Sequence, residues 1–335
     1  MHGSPRARDL HRRAPAIDLH ADTLMWSRWV GYDLNVRHDP PLPWAAIGGH
    51  VDVPRLFEGG MGAQFFGLVS LPVGQRSGLR AVIDEQIDEL ESACAHSGGL
   101  LAQARTAAEL AAINAAGGVA ALLGIEGAHA LEGSLDNLDH FARRGVRYLG
   151  LSHFSANDVS FPAYGRGSDP SRGLTAFGRQ VVERCQDLGV VVDLAHINKK
   201  GFLEACALSR RPPMVSHTGV LGAFEHWRNI DDDQLRAVAD LGGCVGVIFC
   251  PRFLGGDGLE PVVRHLQHIL DVCGEDAPAL GSDWDGFIVP TDSLSDVTKV
   301  PLLTDALLDA GIEERIVTKV LRANALRVLA DNPVR

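Results

Sequence analysis

The sequence contains no Cys-x-x-Cys pair; its six cysteines, Cys94, Cys185, Cys206, Cys244, Cys250 and Cys273, lie far apart. Neither a disulfide framework nor a thiolate zinc site is signalled, and a reduced cytoplasm suits such thiols. Lysine is scarce, limited to Lys199, Lys200, Lys299 and Lys319. The formal net charge is −11 and the arginines are scattered, so the basic footprint of a nucleic-acid binder is missing. No apolar run reaches the ~18 residues of a membrane span, and the basic stretch Met1 to Arg13 leads into no apolar signal core. The chain ends at Arg335 without the hydrophobic tail that precedes a lipid anchor. A soluble, unexported protein with no nucleic-acid or membrane partner is expected. There is no Pro/Ser/Gly-rich linker and no repeat of period ~20–50 residues, which favours one domain over residues 1–335, with 1–14 as an N-terminal extension.

What the chain does have is apolar bulk: 46% of its 335 residues are hydrophobic. Short runs rich in Val, Ile, Leu and Ala recur without alternation, as strands covered on both faces do. They are Ala16 to Leu19, Ala63 to Val69, Val119 to Ile125, Tyr148 to Leu151, Val190 to Leu194, Pro213 to Val215, Cys244 to Phe249 and Ala279 to Gly281. Amphipathic stretches separate most of them: Leu79 to His96, Thr106 to Ala115, Leu135 to Arg144, Thr175 to Leu188, Lys200 to Ser209, Asp231 to Leu241, Leu259 to Cys273 and Val300 to Ala310. Thr106 and Glu109 have capping-box spacing, and Gly117, Gly145, Gly189 and Gly242 stand where helices should stop. Strand and helix in alternation predict an α/β fold, a (β/α)8 TIM barrel, with a doubly wound open sheet as the other solution. Glu313 to Leu329 reads as a closing helix.

In such a barrel, catalytic groups stand at the C-terminal ends of strands. His20 and Asp22 follow the first run, Glu126 the third, His153 the fourth, His196 the fifth, His217 the sixth and Asp283 the eighth. Imidazoles and carboxylates are the ligands of borderline and hard divalent cations. The i, i+2 spacing of His20 and Asp22 puts both on one face of an extended segment. Alone, His-x-Asp is a common tripeptide, and a strand-end histidine commonly serves the backbone. Five such groups in register are different, because several buried charges would need partners, and a dication supplies one. A catalytic zinc takes three protein ligands, so His20, Asp22, Glu126, His196 and His217 suit two ions that share a carboxylate, for which Glu126 is the candidate.

The motifs Ile17-Asp-Leu-His-Ala-Asp22, Gly124-Ile-Glu-Gly-Ala-His129, Tyr148-Leu-Gly-Leu-Ser-His153, Asp193-Leu-Ala-His196, Ser216-His217, Arg228-Asn229 and Gly281-Ser-Asp-Trp-Asp-Gly286 resemble those of the membrane dipeptidase (renal dipeptidase) family, within the amidohydrolase-type barrels. They run in the family's order across nearly the whole chain. The resemblance implies two Zn2+, other divalent metals being left open as alternatives, with His20, Asp22 and Glu126 on one ion and Glu126, His196 and His217 on the other. It also implies substrate contacts from His153 and Arg228, Asp283 as proton shuttle, a dipeptide substrate and a homodimer. Many amidohydrolase-type barrels bridge their metals with a carboxylated lysine after the fourth strand; here that place is held by His153.

The expected chemistry is attack on a peptide carbonyl by a metal-bridging hydroxide, with Asp283 passing the proton to the departing amine. His153 would stabilise the oxyanion and Arg228 clamp the C-terminal carboxylate. Asp285 is a weaker alternative to Asp283. Asn157 and Asp158 are expected to line the pocket, His265 and His268 to be solvated, and His129 to lie outside the ligand set. Ser152 lacks the setting of a serine nucleophile, and no P-loop or complete Gly-x-Gly-x-x-Gly occurs. The loops Asn35 to Gly48 and Asn157 to Arg172 are expected to set substrate choice. A related amidohydrolase acting on N-acyl amino acids, D-residue dipeptides or a lactam is the second enzymatic reading; a metal-stabilised binding barrel is the non-enzymatic one.

Overall fold

The computed structural model describes residues 2–38, 46–71 and 78–334. Among them nine strands form one parallel sheet: β1 (Ala16–Ala21), β2 (Met61–Val69), β3 (Leu101–Gln103), β4 (Val119–Glu126), β5 (Val146–Gly150), β6 (Val191–Asp193), β7 (Met214–Thr218), β8 (Cys244–Val247) and β9 (Pro278–Leu280). The order is β2-β1-β9-β8-β7-β6-β5-β4, and pairing of β2 with β4 from Ala63↔Ala120 to Val69↔Glu126 closes it. The eight apolar runs are thus the eight staves of a (β/α)8 barrel, and the open-sheet alternative falls. The extra strand β3 pairs with the first half of β4, while β5 takes the second half of the same edge. Three residues are too few to show periodicity.

Strand burial explains the apolar runs. Every residue of β1, β2 and β4 is buried, because helices cover the outside and side chains fill the inside. Ile17, Leu19, Ala63, Phe65, Leu122 and Met214 belong to the interior cluster, which Val328 and Leu329 of the last helix plug at the N-terminal end of the strands. Each of the eight anticipated helices forms, and Thr106 and Glu109 make a full capping box. The expected closing helix is two α segments, Glu314–Thr318 and Asn324–Asp331, joined by a π-helical turn over Lys319–Ala323.

Short helices that the pattern did not reveal follow β1 (Thr23–Val30) and precede β2 (Val53–Glu58). The N-terminal stretch is a helix, Pro5–Arg13, capped by Ser4 and seated through Ala7 and Leu10; Nε2 of its His11 lies 2.8 Å from Thr304 Oγ1. Half of the Asn35 to Gly48 loop, residues 39–45, lies outside the described residues. Among the described residues no helix is long and apolar enough to cross a membrane.

Candidate metal centre and active site

Two β-bulges aim the histidines that open and close the cluster. Asp18 pairs with Gln64 and Ala21 with Phe66, so β1 has one residue more than β2 over this step. In β7 the same count holds between Val215↔Val245 and Thr218↔Val247. A bulge re-aims a side chain. Here the extra residues bring His20 and His217 to the barrel mouth, where their rings stack with centroids 4.2 Å apart. Both histidines lie within their strands rather than after them.

Glu126 is the hub. Its Oε1 is 3.0 Å from His196 Nε2, 3.4 Å from His217 Nε2 and 3.8 Å from His20 Nε2, and its Oε2 is 3.5 Å from His153 Nε2. His196 and His217 bring their Nε2 atoms to 2.9 Å of each other. Asp22 Oδ1 lies 3.2 Å and Asp283 Oδ1 3.8 Å from His20 Nε2. His196 (φ 65°) and Asp283 (φ 61°) are non-glycine residues in left-handed backbone, a strain typical of functional sites. Gly67 of β2 leaves the room this needs: a Cβ there would stand 2.1 Å from Asp22 Oδ1.

A further layer of side chains orients the imidazoles. His20 Nδ1 is 2.6 Å from Tyr148 Oη, and the Tyr148 ring fills the space in front of Gly124, where a Cβ would lie 1.9 Å from it. His217 Nδ1 is 3.0 Å from Ser216 Oγ, which donates to Asp193 at 2.7 Å. Asp18 accepts from the Ser282 backbone N–H and hydroxyl at 2.7 and 2.6 Å, tying β1 to the segment that carries Asp283.

The donor set fits divalent cations. His20 Nε2 and Asp22 Oδ1 are buried, face each other, and make no hydrogen bond, an arrangement that costs free energy without a shared partner. Three overlapping groups have ligand atoms within 4.8 Å: His20, Asp22 and Glu126; His20, His217 and Asp283; and Glu126, His153 and His196. Burial drives His196 and His217 well below the ordinary imidazole pKa and so keeps them neutral, as ligation requires. Burial acts the same way on His20, but the carboxylates of Asp22, Glu126 and Asp283 outweigh it and push the imidazole up to about 10. The cluster therefore demands positive charge at this point. Burial also opposes ionisation of Glu126, yet the imidazoles of His153, His196 and His20 hold it below the usual carboxylate range. Asp283 goes the other way, raised by burial and by Asp22 and Glu126.

Above the cluster opens a cavity of about 250 Å3, lined at its polar end by Glu126, His153, His196, Arg228 and Asp283. Arg228 is 5% exposed; its Nη2 donates to His217 O at 2.8 Å and lies 3.3 Å from His196 Nε2. All seven anticipated strand-end groups, and Arg228 with them, thus meet in one place.

Other expectations need correction. Asp285 is not an alternative to Asp283: it is fully buried and accepts from Thr23 Oγ1 at 2.6 Å and the His50 N–H at 2.8 Å. Asn157 does not line the cavity but accepts from the N–H groups of Val159 and Ser160, and Asp158 is exposed. His265 is not solvated; it is 0% exposed, and its Nδ1 accepts from the Val220 N–H at 2.9 Å, an inward turn that helix spacing alone did not show. His268 pairs with Asp232 at 2.8 Å, half-buried. His129 stands outside the three groups, 2.9 Å from Ser155 Oγ.

Sequence reasoning assigned no role to Tyr148, Ser216, Asp193 or Asp18. An acid two or three residues before a strand-end histidine was the available signal for the two aspartates. The apolar end of the cavity, with Met25, Phe287 and Ile288, carried none.

A model of the membrane dipeptidase family, peptidase family M19, matches residues 4–333. The chain is 32% identical over 312 residues to dipeptidase tcpJ of Claviceps purpurea (strain 20.1), covering 90% of this chain and 73% of that one. The structure resembles that of the M19 metallopeptidase dipeptidase AC, with TM-score 0.85 and 30% identity over 95% of this chain and 98% of that one. It also resembles a metallopeptidase from Rhodobacter sphaeroides, solved with a phosphinate mimic of the dipeptide L-Ala-D-Ala, with TM-score 0.86 and 28% identity over 95% and 99%. By the extent of these matches, the chain belongs to the membrane dipeptidase family of metallopeptidases.

Proposed function

We propose that the chain is a metal-dependent dipeptidase whose two ions, zinc in both sites, are held by His20, Asp22 and Glu126 and by Glu126, His196 and His217. The observation that carries this reading is the unpartnered His20 Nε2 and Asp22 Oδ1 within 3.2 Å of each other, beside the shared Glu126. When bound, such ions supply a Lewis acid for the scissile carbonyl and make water nucleophilic at neutral pH.

The residues of the chain do the rest. Asp283, a carboxylate in the cavity lining with its Oδ1 3.8 Å from His20 Nε2, takes the proton of the attacking water and hands it to the departing amine. His153, 12% exposed at the cavity edge and 3.5 Å from Glu126, donates to the developing oxyanion. Arg228 receives the C-terminal carboxylate. Its guanidinium is buried, which lowers its pKa without removing its charge, and a buried cation facing a cavity calls for an anionic ligand. A cavity of about 250 Å3 falls below the roughly 300–1,000 Å3 of drug-sized ligand sites, which favours a dipeptide over longer peptides. The six free cysteines, all without disulfide partners, support a reducing compartment as part of the same proposal.

The test is metal content of the purified protein measured alongside hydrolysis of dipeptide, N-acyl amino acid and β-lactam panels. Two equivalents of zinc with turnover of free dipeptides is the expected result. Turnover confined to acyl amino acids or lactams, or full activity with one equivalent, would overturn it.

A further inference from the structure

The cavity has two ends of unlike chemistry. Arg228, from the segment after β7, marks the charged end, where Phe154, packed against His153 and His196, and Phe253 also line the wall. Across the cluster lie Met25 after β1, Val69 and Leu71 at the end of β2, and Phe287 and Ile288 after β9, three adjacent positions around the barrel. Phe287 has φ 59°, a backbone conformation that costs an aromatic residue free energy. Core packing does not account for it, since the side chain is 47% exposed. The ring instead rests against Trp26 and Trp29, with centroids 5.5 and 5.7 Å away, and Trp26 is itself pinned by its indole N–H donating to Asp285 O at 2.7 Å. The result is a preformed apolar ledge facing the cavity. Among the described lining residues the carboxylates are Asp22, Glu126 and Asp283, all within the metal cluster, and the one guanidinium is Arg228 at the other end.

We propose that this ledge of Met25, Val69, Leu71, Phe287 and Ile288 receives the side chain of the substrate's N-terminal residue and selects bulky apolar or aromatic side chains there. The inference rests on the dipeptidase reading above. With the C-terminal carboxylate on Arg228 and the scissile carbonyl over the cluster, the N-terminal residue extends toward β1, β2 and β9. A charged side chain placed on the ledge loses its water and finds no partner among the described lining residues of the ledge, whereas each methylene laid on an apolar wall is worth about 10-fold or more in discrimination.

The experiment compares kcat/KM of the zinc-loaded protein for Gly-Ala, Leu-Ala, Phe-Ala, Asp-Ala and Lys-Ala, with Ala-Leu, Ala-Asp and Ala-Lys as the reversed series. Leu-Ala and Phe-Ala should exceed Gly-Ala by at least about 10-fold and the charged dipeptides by about 100-fold or more. Phe287→Ala should lower the Leu-Ala to Gly-Ala ratio by about 10-fold, and Leu71→Lys should raise Asp-Ala relative to Leu-Ala. Thermal unfolding of both variants checks that they fold. Equal turnover of all the X-Ala substrates, or discrimination seen in the reversed series alone, would overturn the ledge while leaving the dipeptidase reading in place. Failure to cleave any dipeptide would overturn both.

Discussion

The hydroxyl of Tyr148 lies 2.6 Å from Nδ1 of His20, at the floor of the cluster. The two residues come from β5 and β1, and the tyrosine ring reaches the histidine through the space that Gly124 leaves open. This contact fixes which nitrogen of His20 faces Asp22 and Glu126. Partners of this kind typically govern metal affinity by 10–100-fold. Tyr148→Phe should therefore weaken zinc binding by about that factor, read by competition with a chromophoric chelator. Gly124→Ala, which drives a methyl group into the tyrosine ring, should do at least as much harm.

Glu126 faces all four histidines, so Glu126→Gln tests the bridge. A neutral amide offers one acceptor oxygen and no charge to imidazoles that lie 3.0 and 3.4 Å away. Metal content should fall below the two equivalents proposed above, and turnover should fall with it. Undiminished metal content measured by atomic emission would rule out a shared ligand.

Asp283→Asn keeps the size of the side chain and removes its capacity to carry a proton. A loss of about 100- to 10,000-fold in kcat is expected for such a group, with KM for a good dipeptide nearly unchanged. Steady-state kinetics would decide, and wild-type kcat in this variant would exclude Asp283 as the shuttle.

Arg228→Lys should raise KM for a free dipeptide by about 10- to 100-fold, since a hydrogen bond to a charged group contributes roughly 1.5–3 kcal/mol. The corresponding dipeptide amide, which has no carboxylate, should discriminate far less between the two proteins. Equal effects on acid and amide would mean that the arginine serves its contacts to His217 O and Thr218 instead.

His265 gives a pH prediction away from the cluster. Burial lowers its pKa from 6.5 to about 4, and its Nδ1 must stay unprotonated to accept from the Val220 N–H. The unfolded chain therefore binds this proton more readily than the folded one. The contribution to stability is fully present above pH 6.5 and is lost as pH falls toward 4, up to roughly 3 kcal/mol. Denaturant midpoints across this range should fall with pH, and His265→Gln should flatten the slope.

Much of this protein was legible in its one-dimensional pattern. Strands of a closed parallel barrel are buried on both faces and helices on one, so composition and spacing suffice to count the staves. Residues just past an apolar run must lie at one rim, which is why His20, Asp22, Glu126, His153, His196, His217 and Asp283 could be grouped without coordinates. Two kinds of element escaped: β3, which ends on Gln103 and buries only Leu101, and Val53–Glu58, whose six residues show no helical period.

What the sequence determined by itself was the fold class and the residue types at the barrel mouth, since both follow from local hydrophobicity and ligand chemistry. Only the tertiary structure decided which of them touch. The bulges that turn His20 and His217 inward depend on register between strands, and the Tyr148 contact depends on a glycine in the neighbouring strand. A place in the cavity lining separated Asp283 from Asp285, and burial separated His265 from His268, pairs that are alike in sequence. In each pair, where the group packs decides whether it faces substrate, backbone or water, and that placement is a property of the assembled barrel.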